Sequence, residues 1–194
     1  MKVSRAMKNL LIVDLEATCF PRGKEPADFT SEIIEIGAVV FDTAARRVTR
    51  ELQAFVRPSL FPALSPYCIQ LTGIQQADVD AGLPLEQALS RLAALSAPAD
   101  TVFSSWGFYD QRQIERECAR RGIPYPFAKD HISLKHNHAS FYGLKHPLGM
   151  DAALAYHQLP LLGRHHRALD DARNIAAIAA RMLDDGWTHR RLTA

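Results

Sequence analysis

The chain of 194 residues carries 23 lysines plus arginines and 21 aspartates plus glutamates, which gives a formal net charge of +2. With 47% hydrophobic and 23% charged residues, the composition is typical of a folded globular protein and excludes an intrinsically disordered chain. The near-neutral charge balance excludes a histone-like polycation, although a local basic patch can still bind nucleic acid. The length favours one domain.

The cysteines and the N-terminal hydropathy bear on the cellular compartment. Cys19, Cys68 and Cys118 are an odd number of cysteines without paired spacing, which argues against a secreted disulfide scaffold. The apolar run at residues 10–13 ends at Asp14, so it is too short for a signal peptide or a membrane span. We therefore expect a cytoplasmic protein without a membrane partner.

The first half of the chain has the pattern of β-strands. Apolar and β-branched residues predict strands over residues 10–16, 33–42 and 47–57. The link between the second and third strands is short enough for a hairpin. These three strands are therefore expected to form a meander.

The second half of the chain alternates helices with short strands. Apolar residues at helical spacing predict helices at residues 65–71, 85–95, 111–121, 147–156 and 172–183. Short strands are predicted at residues 101–104 and 132–134. This order predicts an α/β fold, in which a mixed sheet is flanked by helices in a single domain over residues 10–185. We expect residues 1–9 to be a disordered extension and residues 186–194 to be a C-terminal tail.

Two acidic residues, Asp14 and Glu16, end an otherwise apolar strand. Side chains two positions apart in a strand point to the same face and lie roughly 7 Å apart. Two ionised carboxylates at the edge of a core repel each other unless one keeps a raised pKa or a cation lies between them. The alternative is a polar strand end in solvent, but charged residues rarely follow a buried strand without a partner. The pair therefore indicates a cation site.

Further acidic residues lie at predicted helix starts. Asp110 follows the aromatic segment 106–109, and Asp170 and Asp171 open the last helix. Each of these aspartates can serve as a helix N-cap, and Asp170 is expected to be the structural member of its pair. The aromatic segment is expected to be either core or a surface on which bases stack.

His166 lies five positions before Asp171 in a predicted loop, where it is placed to act as a base near a metal ion. Its neighbour His165 is expected to be largely dispensable. An α/β fold brings strand and helix ends together at one edge of the sheet. Oxygen-only ligands fit Mg²⁺ or Mn²⁺ rather than zinc, and a pair of such ions about 4 Å apart serves in-line displacement at phosphorus. The four candidate ligands are Asp14, Glu16, Asp110 and Asp171.

Three motifs of this chain resemble those of the DEDDh 3′–5′ exonucleases, which have an RNase H-like fold. They lie at residues 14–19, 106–110 and 166–171, and the third has the H-x4-D spacing of the DEDDh subgroup. The resemblance extends over about residues 10–183. Within the family the chain is most similar to the branch of the histone-mRNA 3′ exonuclease and the bacterial sporulation-inhibitor-like exonucleases. The segments 31–37, 55–58, 64–74 and 169–176 carry this finer match.

The resemblance implies a metal-dependent enzyme that shortens single-stranded RNA, short oligonucleotides or DNA from the 3′ end and releases nucleoside 5′-monophosphates. It implies that the four carboxylates bind two Mg²⁺ or Mn²⁺ ions and that His166, with Glu16, is catalytic. His166 would be the general base that activates water. The residues implied to contact substrate are Glu16, Ala17, Thr72, Gly73, Trp106 and His166.

Two of these segments have a structural alternative. Thr72 and Gly73 are equally consistent with a helix C-cap. The basic and aromatic segment 135–146 is expected to be a loop. This loop either guides a single strand, with Phe141 or Tyr142 stacking on bases, or is only solvated.

The main alternative function is a regulatory module that binds nucleic acid or protein on the same scaffold, and a phosphatase acting on small nucleotides is a third. A pure binding module does not need all four carboxylates and the histidine, so the enzyme is preferred. Because only nine residues precede the first strand, the extra domain of the animal histone-mRNA enzyme, and with it stem-loop specificity, is not expected. The residues give no preference for RNA over DNA and no oligomeric state.

Overall fold

One five-stranded mixed sheet organises the protein, whose computed structural model describes residues 8–96, 100–128 and 130–188. The strands are β1 (Asn9–Ala17), β2 (Ile33–Asp42), β3 (Arg47–Phe55), β4 (Thr101–Ser105) and β5 (His131–Ser133). They lie in the order β3-β2-β1-β4-β5. β1 and β3 are antiparallel to β2, whereas β4 is parallel to β1 and to β5. The predicted meander followed by alternating helices and strands is confirmed.

Helices cover both faces of the sheet. They are α1 (Pro66–Thr72), α2 (Gln76–Asp80), α3 (Leu85–Leu95), α4 (Tyr109–Arg121), α5 (Leu134–Phe141), α6 (Met150–Tyr156) and α7 (Ala168–Asp184). Residues of α5, α6 and α7 pack on one face, and residues of α3 and α4 pack on the other. None of the helices in the described ranges combines the length and the apolarity that crossing a membrane requires.

The central strand β1 sends alternate side chains into the two cores. Leu10 and Ile12 pack with residues of α6 and α7, whereas the odd-numbered residues between 11 and 15 pack with α3 and α4. By the same alternation, Asp14 and Glu16 continue the face of the sheet that α7 covers. The strand therefore delivers both carboxylates to the edge of the α7 layer.

The start of α7 is fixed to β2 at two neighbouring points. A Cβ atom at Gly37 would lie 2.0 Å from the backbone carbonyl carbon of Ala168, so only glycine allows this approach. Glu35 accepts a hydrogen bond from the backbone N–H of Ala168 at 3.1 Å and forms an ion pair with Arg167, also at 3.1 Å. These contacts set the position of the first turn of α7, which carries Asp171.

Some predicted element boundaries were wrong. The helix predicted at residues 147–156 starts at Met150, with Gly149 as its N-cap, so no proline lies in its first turn. Helix α7 starts at Ala168, four positions before the predicted start, and α2 was not predicted. The predicted loop at residues 135–146 contains most of α5. The helical periodicity of α5 was not visible in the sequence, because the buried residue one turn after Leu134 is the polar His138.

Two residues outside the predicted domain bounds are part of the fold. Asn9 is the first residue of β1, and Trp187 is buried in the core that α6 and α7 share with β1. The packed region therefore spans at least residues 9–187. Residues 1–7 of the expected N-terminal extension and residues 189–194 of the expected tail lie outside the described residues.

Candidate active site

The four carboxylates predicted from the sequence line one cavity of about 250 Å³. They come from three elements that are distant in the chain: Asp14 and Glu16 from β1, Asp110 from α4 and Asp171 from α7. One oxygen each of Asp14, Glu16 and Asp171 lies within 4.8 Å of the other two. The structure therefore brings the predicted ligand set together.

Asp110 is not a helix cap, so the capping alternative for this residue is wrong. It is the second residue of α4, whose N-cap is Phe108. Its Oδ1 accepts a hydrogen bond from the backbone N–H of Leu15 at 3.2 Å. The pairing of β1 with β4 ends at Ile12 and Ser104, so Asp110 satisfies an N–H of β1 that β4 does not reach. This bond anchors the carboxylate beside the acidic end of β1.

The adjacent residues Asp170 and Asp171 have different partners. Asp170 accepts a hydrogen bond from the backbone N–H of Arg164 at 2.9 Å, which fixes the loop before α7. Asp171 faces the cavity, and its Oδ2 accepts a hydrogen bond from the backbone N–H of His166 at 3.0 Å. The expectation that Asp170 is the structural member of the pair agrees with these contacts.

Both histidines before α7 line the cavity. Their rings stack with centroids 4.0 Å apart, and Nδ1 of His165 lies 3.0 Å from Oδ2 of Asp171. Nδ1 of His166 lies 4.0 Å from Oε1 of Glu16. His166 has a φ of 63°, a conformation that costs a non-glycine residue about 1–3 kcal/mol and that is often found at functional sites. His165 was expected to be dispensable, yet it contacts a candidate ligand directly; its position next to His166 was the available signal.

Burial disfavours the ionised form of all four carboxylates, and repulsion from neighbouring carboxylates adds to this effect at Asp14 and Glu16. Burial, followed by the charges of Asp110 and Glu16, raises the pKa of Asp14 well above its usual value. Burial and then Asp171 raise the pKa of Glu16 to about 8, and burial raises the pKa of Asp110 to about 6. Burial also raises the pKa of Asp171. Within the described ranges, no lysine or arginine forms an ion pair with any of the four, so their negative charge is left for a cation to neutralise.

The donor atoms fit a divalent cation. Carboxylate oxygens are the ligands that Mg²⁺ and Mn²⁺ prefer. A second group of possible ligand atoms, from His165, His166 and Asp171, also lies within a 4.8 Å span and shares Asp171 with the first. The cavity therefore offers two overlapping sets of ligand atoms.

The other residues predicted to bind substrate divide into two groups. Trp106 lines the cavity, and Ala17 is the last residue of β1, directly after Glu16. Thr72 is fully buried, and its hydroxyl donates to the carbonyl of Cys68 at 2.8 Å. Gly73 is the C-cap of α1 with a φ of 72°, which confirms the capping interpretation. Neither Thr72 nor Gly73 lines the cavity.

The structure also adds residues that the sequence analysis missed. Tyr109 and Met150 line the cavity. The available signal for Tyr109 was its position next to Asp110. Met150 was not recognised, because α6 was predicted to start three residues too early. Tyr142, one of the two aromatic residues considered for base stacking, donates its hydroxyl to Asp185 at 2.8 Å and packs against the ring of His138. It lies outside the carboxylate cavity.

A mixed sheet with four carboxylates and a histidine at one edge defines the class of DEDDh proteins with an RNase H-like fold. The chain matches the Exonuclease (RNase_T) family over residues 11–179, and it belongs to this family. It is 33% identical over 165 residues to the probable 3′–5′ exonuclease KapD of Bacillus subtilis. The aligned region covers 84% of this chain and 79% of KapD.

Longer relatives contain this domain as one part. Human ERI1 exoribonuclease 2 is 34% identical over 200 residues, which cover 91% of this chain but 28% of the human protein. The chain thus spans less than a third of that relative.

Solved structures of 3′-exonucleases, one of them described as a DEDDh family member, have the same fold as this chain. The nuclease domain of 3′hExo, a DEDDh family member bound to rAMP, superposes with a TM-score of 0.87 at 30% identity and covers 97% of each chain. A 3′-exonuclease that recognises a histone mRNA stem-loop gives a TM-score of 0.85 at 31% identity, over 94% of this chain and 84% of that chain. The predicted RNase H-like fold is confirmed.

Proposed function

We propose that this protein is a metal-dependent 3′–5′ exonuclease that hydrolyses single-stranded RNA, short oligonucleotides or DNA to nucleoside 5′-monophosphates. The observation that carries the proposal is the convergence of four carboxylates and His166 on one cavity. The similarity to proteins named as 3′–5′ exonucleases supports the polarity. The rAMP bound to the similar nuclease domain supports a nucleoside monophosphate as product.

The carboxylates of the cavity would hold two Mg²⁺ or Mn²⁺ ions. When bound, such ions stabilise the negative charge that develops during in-line displacement at phosphorus. The raised pKa values of Asp14 and Glu16 support this role, because buried carboxylates that repel one another gain most from a nearby cation. The ligands would be Asp14, Glu16, Asp110 and Asp171.

His166 is the proposed general base. Burial and then the neighbouring His165 lower the pKa of His166, so its ring is neutral at pH 7 and can accept a proton from the attacking water. The hydrogen bond from its backbone N–H to Asp171 fixes the strained backbone. The ring is thereby held within 4.0 Å of Glu16.

The terminal nucleotide would lie against Glu16, Ala17 and Trp106. The Trp106 indole is held in place because its Nε1–H donates to the carbonyl of Leu148 at 3.2 Å, and a fixed aromatic ring is a suitable platform for a base. The small side chain of Ala17 leaves room for the sugar. Thr72 and Gly73 stay predicted border residues without a contact to the cavity.

The direct test uses 5′-labelled single-stranded RNA and DNA of the same sequence with Mg²⁺ or Mn²⁺. We expect a stepwise ladder of shortened strands, nucleoside 5′-monophosphates as products, and no reaction when the 3′ end is blocked or a chelator is present. Cleavage of a circular strand at a comparable rate would contradict an exonuclease. Binding of the strand without any shortening would favour the regulatory binding module instead.

The role of His166 is tested by His166→Ala. General base catalysis contributes roughly 10²–10⁴-fold to the rate, so we expect a loss of that size while the stabilisation of the fold by Mn²⁺ is largely kept. Loss of that stabilisation would instead make His166 a metal ligand.

A further inference from the structure

A second cavity of about 460 Å³ adjoins the carboxylate cavity. Trp106 and Tyr109 line both cavities, so the second begins where the first ends. Its walls come from the N-terminal part of α4 and from the first turn of α5. Besides the two shared aromatic residues, its main lining side chains are Phe108, Arg112, Arg116, Lys135 and His136.

The charges of the two cavities are opposite. None of the residues that line the second cavity is acidic, whereas Arg112, Arg116 and Lys135 are cationic. Arg112 and Arg116 are exposed and one turn apart on α4, so they project from the same face of the helix. Arg116 is oriented by a hydrogen bond to Oε1 of Gln113. Among the residues that the structure describes, these three cations form no ion pair with an acidic side chain.

An exposed aromatic platform accompanies the cations. Phe108, the N-cap of α4, is 39% exposed. Its ring lies 4.8 Å from the ring of His136, at an interplanar angle of 31°. The guanidinium of Arg112 lies 5.5 Å from the Phe108 ring centroid. Positively charged grooves with stacking aromatic side chains are characteristic of sites for single-stranded nucleic acid.

We propose that this basic groove, formed by Phe108, Arg112, Arg116, Lys135 and His136, binds the nucleotides directly upstream of the 3′-terminal one. The inference rests on the proposed exonuclease function and extends it to the path of the substrate. Arg112, Arg116 and Lys135 bind backbone phosphates, and Phe108 stacks against a base. A strand whose end is held among carboxylates is repelled there, and the adjoining cations offset this repulsion.

The first test measures binding without hydrolysis, with a 5′-fluorescent single-stranded 12-mer in the presence of a chelator. Each phosphate contact on a single strand contributes roughly 0.7 to the slope of log K against log salt. We therefore expect the double variant Arg112→Ala/Lys135→Ala to lower that slope by about 1.4. The matched control Arg91→Ala/Arg47→Ala removes two exposed charges that line neither cavity, and its slope should equal that of the wild type.

Two further variants distinguish the possible causes of weaker binding. One separates loss of charge from loss of folding, and the other separates loss of base stacking from loss of charge. Arg112→Lys/Lys135→Arg keeps both charges, so it should keep the wild-type slope even if the alanine variant folds poorly. Phe108→Ala should weaken binding about fivefold or more, the smallest effect expected for one lost base stack, without changing the slope. Equal slopes in the wild type and a folded alanine double variant would overturn the proposal.

The second test compares strand lengths with metal present. Because a hydrogen bond to a charged group is worth on the order of a tenfold effect, Arg112→Ala/Lys135→Ala should lose about tenfold more kcat/KM on a 12-mer than on a dinucleotide. If the wild type shortens neither substrate, the exonuclease function itself fails. If the wild type is active and the variant loses equally on both lengths, the groove proposal alone fails. Poly-glutamate peptide serves as a further probe of the groove. If binding of this peptide depends on Arg112 and Lys135 while binding of nucleic acid does not, the groove binds an acidic protein and the proposal is overturned.

Discussion

The buried acid Glu32 and the acidic end of β1 have surroundings that differ in kind. Glu32 is fully buried, and its carboxylate accepts hydrogen bonds from the backbone N–H groups of residues 59–61. It also forms an ion pair with Arg121 at 2.7 Å. Burial by itself raises the pKa of Glu32, but the backbone hydrogen bonds from Phe61, Ser59 and Leu60 outweigh it, and the pKa is lowered. Glu32 is a structural anion with its partners in place.

The acidic end of β1 lacks such partners. Asp14 lies beside other carboxylates, and burial followed by the charge of Asp110 raises its pKa. The comparison shows that burial does not decide the ionisation of an acid by itself; the neighbouring donors and charges do. Buried acids without cationic partners are costly to the fold, and such groups mark functional sites.

The largest expected effect is the loss of activity in Asp14→Asn, which keeps the shape of the side chain and removes its charge. The rate should fall by at least on the order of 10²-fold, as when one preorganised electrostatic contact to the transition state is lost. In the chelated protein the melting temperature should rise, because the repulsion from Asp110 and Glu16 is relieved. Ladder assays and thermal unfolding measure the two effects.

Added Mn²⁺ sharpens the same experiment. In the wild type, stabilisation should grow with metal concentration and reach about 2.7 kcal/mol at a hundredfold excess over Kd. Asp14→Asn should lose most of this shift. A variant that shortens RNA at the wild-type rate would remove the basis for the metal site.

The adjacent pair Asp171 and Asp170 provides a matched comparison within one helical turn. Asp171→Ala should lose activity to a similar extent as Asp14→Asn. Asp170→Ala should keep most activity and lose about 1 kcal/mol of stability, because the backbone N–H of Arg164 loses its acceptor. Rates and urea unfolding of both variants test this, and equal losses of activity would contradict the division of roles.

Replacement of the structural anion Glu32 should lower stability and leave activity unchanged, whereas replacement of Asp171 should lower activity. Glu32→Gln removes the buried charge that pairs with Arg121 at 2.7 Å, so we expect a loss of about 3 kcal/mol in the free energy of unfolding. The rate at low temperature should be unchanged. Glu51→Gln, which breaks the exposed pair with Arg173, is the control and should cost about 1 kcal/mol or less.

The smallest expected effect is the pH dependence of the difference in unfolding free energy between the wild type and Glu32→Gln. Because the pKa of Glu32 lies below its usual value of 4.5, its stabilising contribution is present above that pH and is lost as the pH falls through the folded-state pKa. The difference in unfolding free energy between the wild type and Glu32→Gln should therefore shrink below pH 4.5. Urea unfolding at neutral and acidic pH measures it, and a constant difference would exclude the ionised carboxylate as its source.

Local pattern was enough to predict much of this protein. The bounds of β2 and α3 were predicted without error, because apolar periodicity depends only on neighbouring residues. The same holds for the candidate ligands: Asp14 and Glu16 are visible because two charges interrupt the end of an apolar strand. The proposal that Asp110 is a metal ligand needed the resemblance to a known family, since its local context also fitted a helix cap.

Tertiary structure decided what depends on contacts between distant segments. Glu32 could be recognised as a structural anion only from the backbone N–H groups of residues 59–61 and from Arg121. The basic groove arises because α4 and α5 place Arg112 and Lys135 on the walls of one cavity. The contact of His165 with Asp171 depends on the turn before α7. The energies of hydrogen bonds and charges are set by distance and burial in space, and spacing along the chain does not fix either.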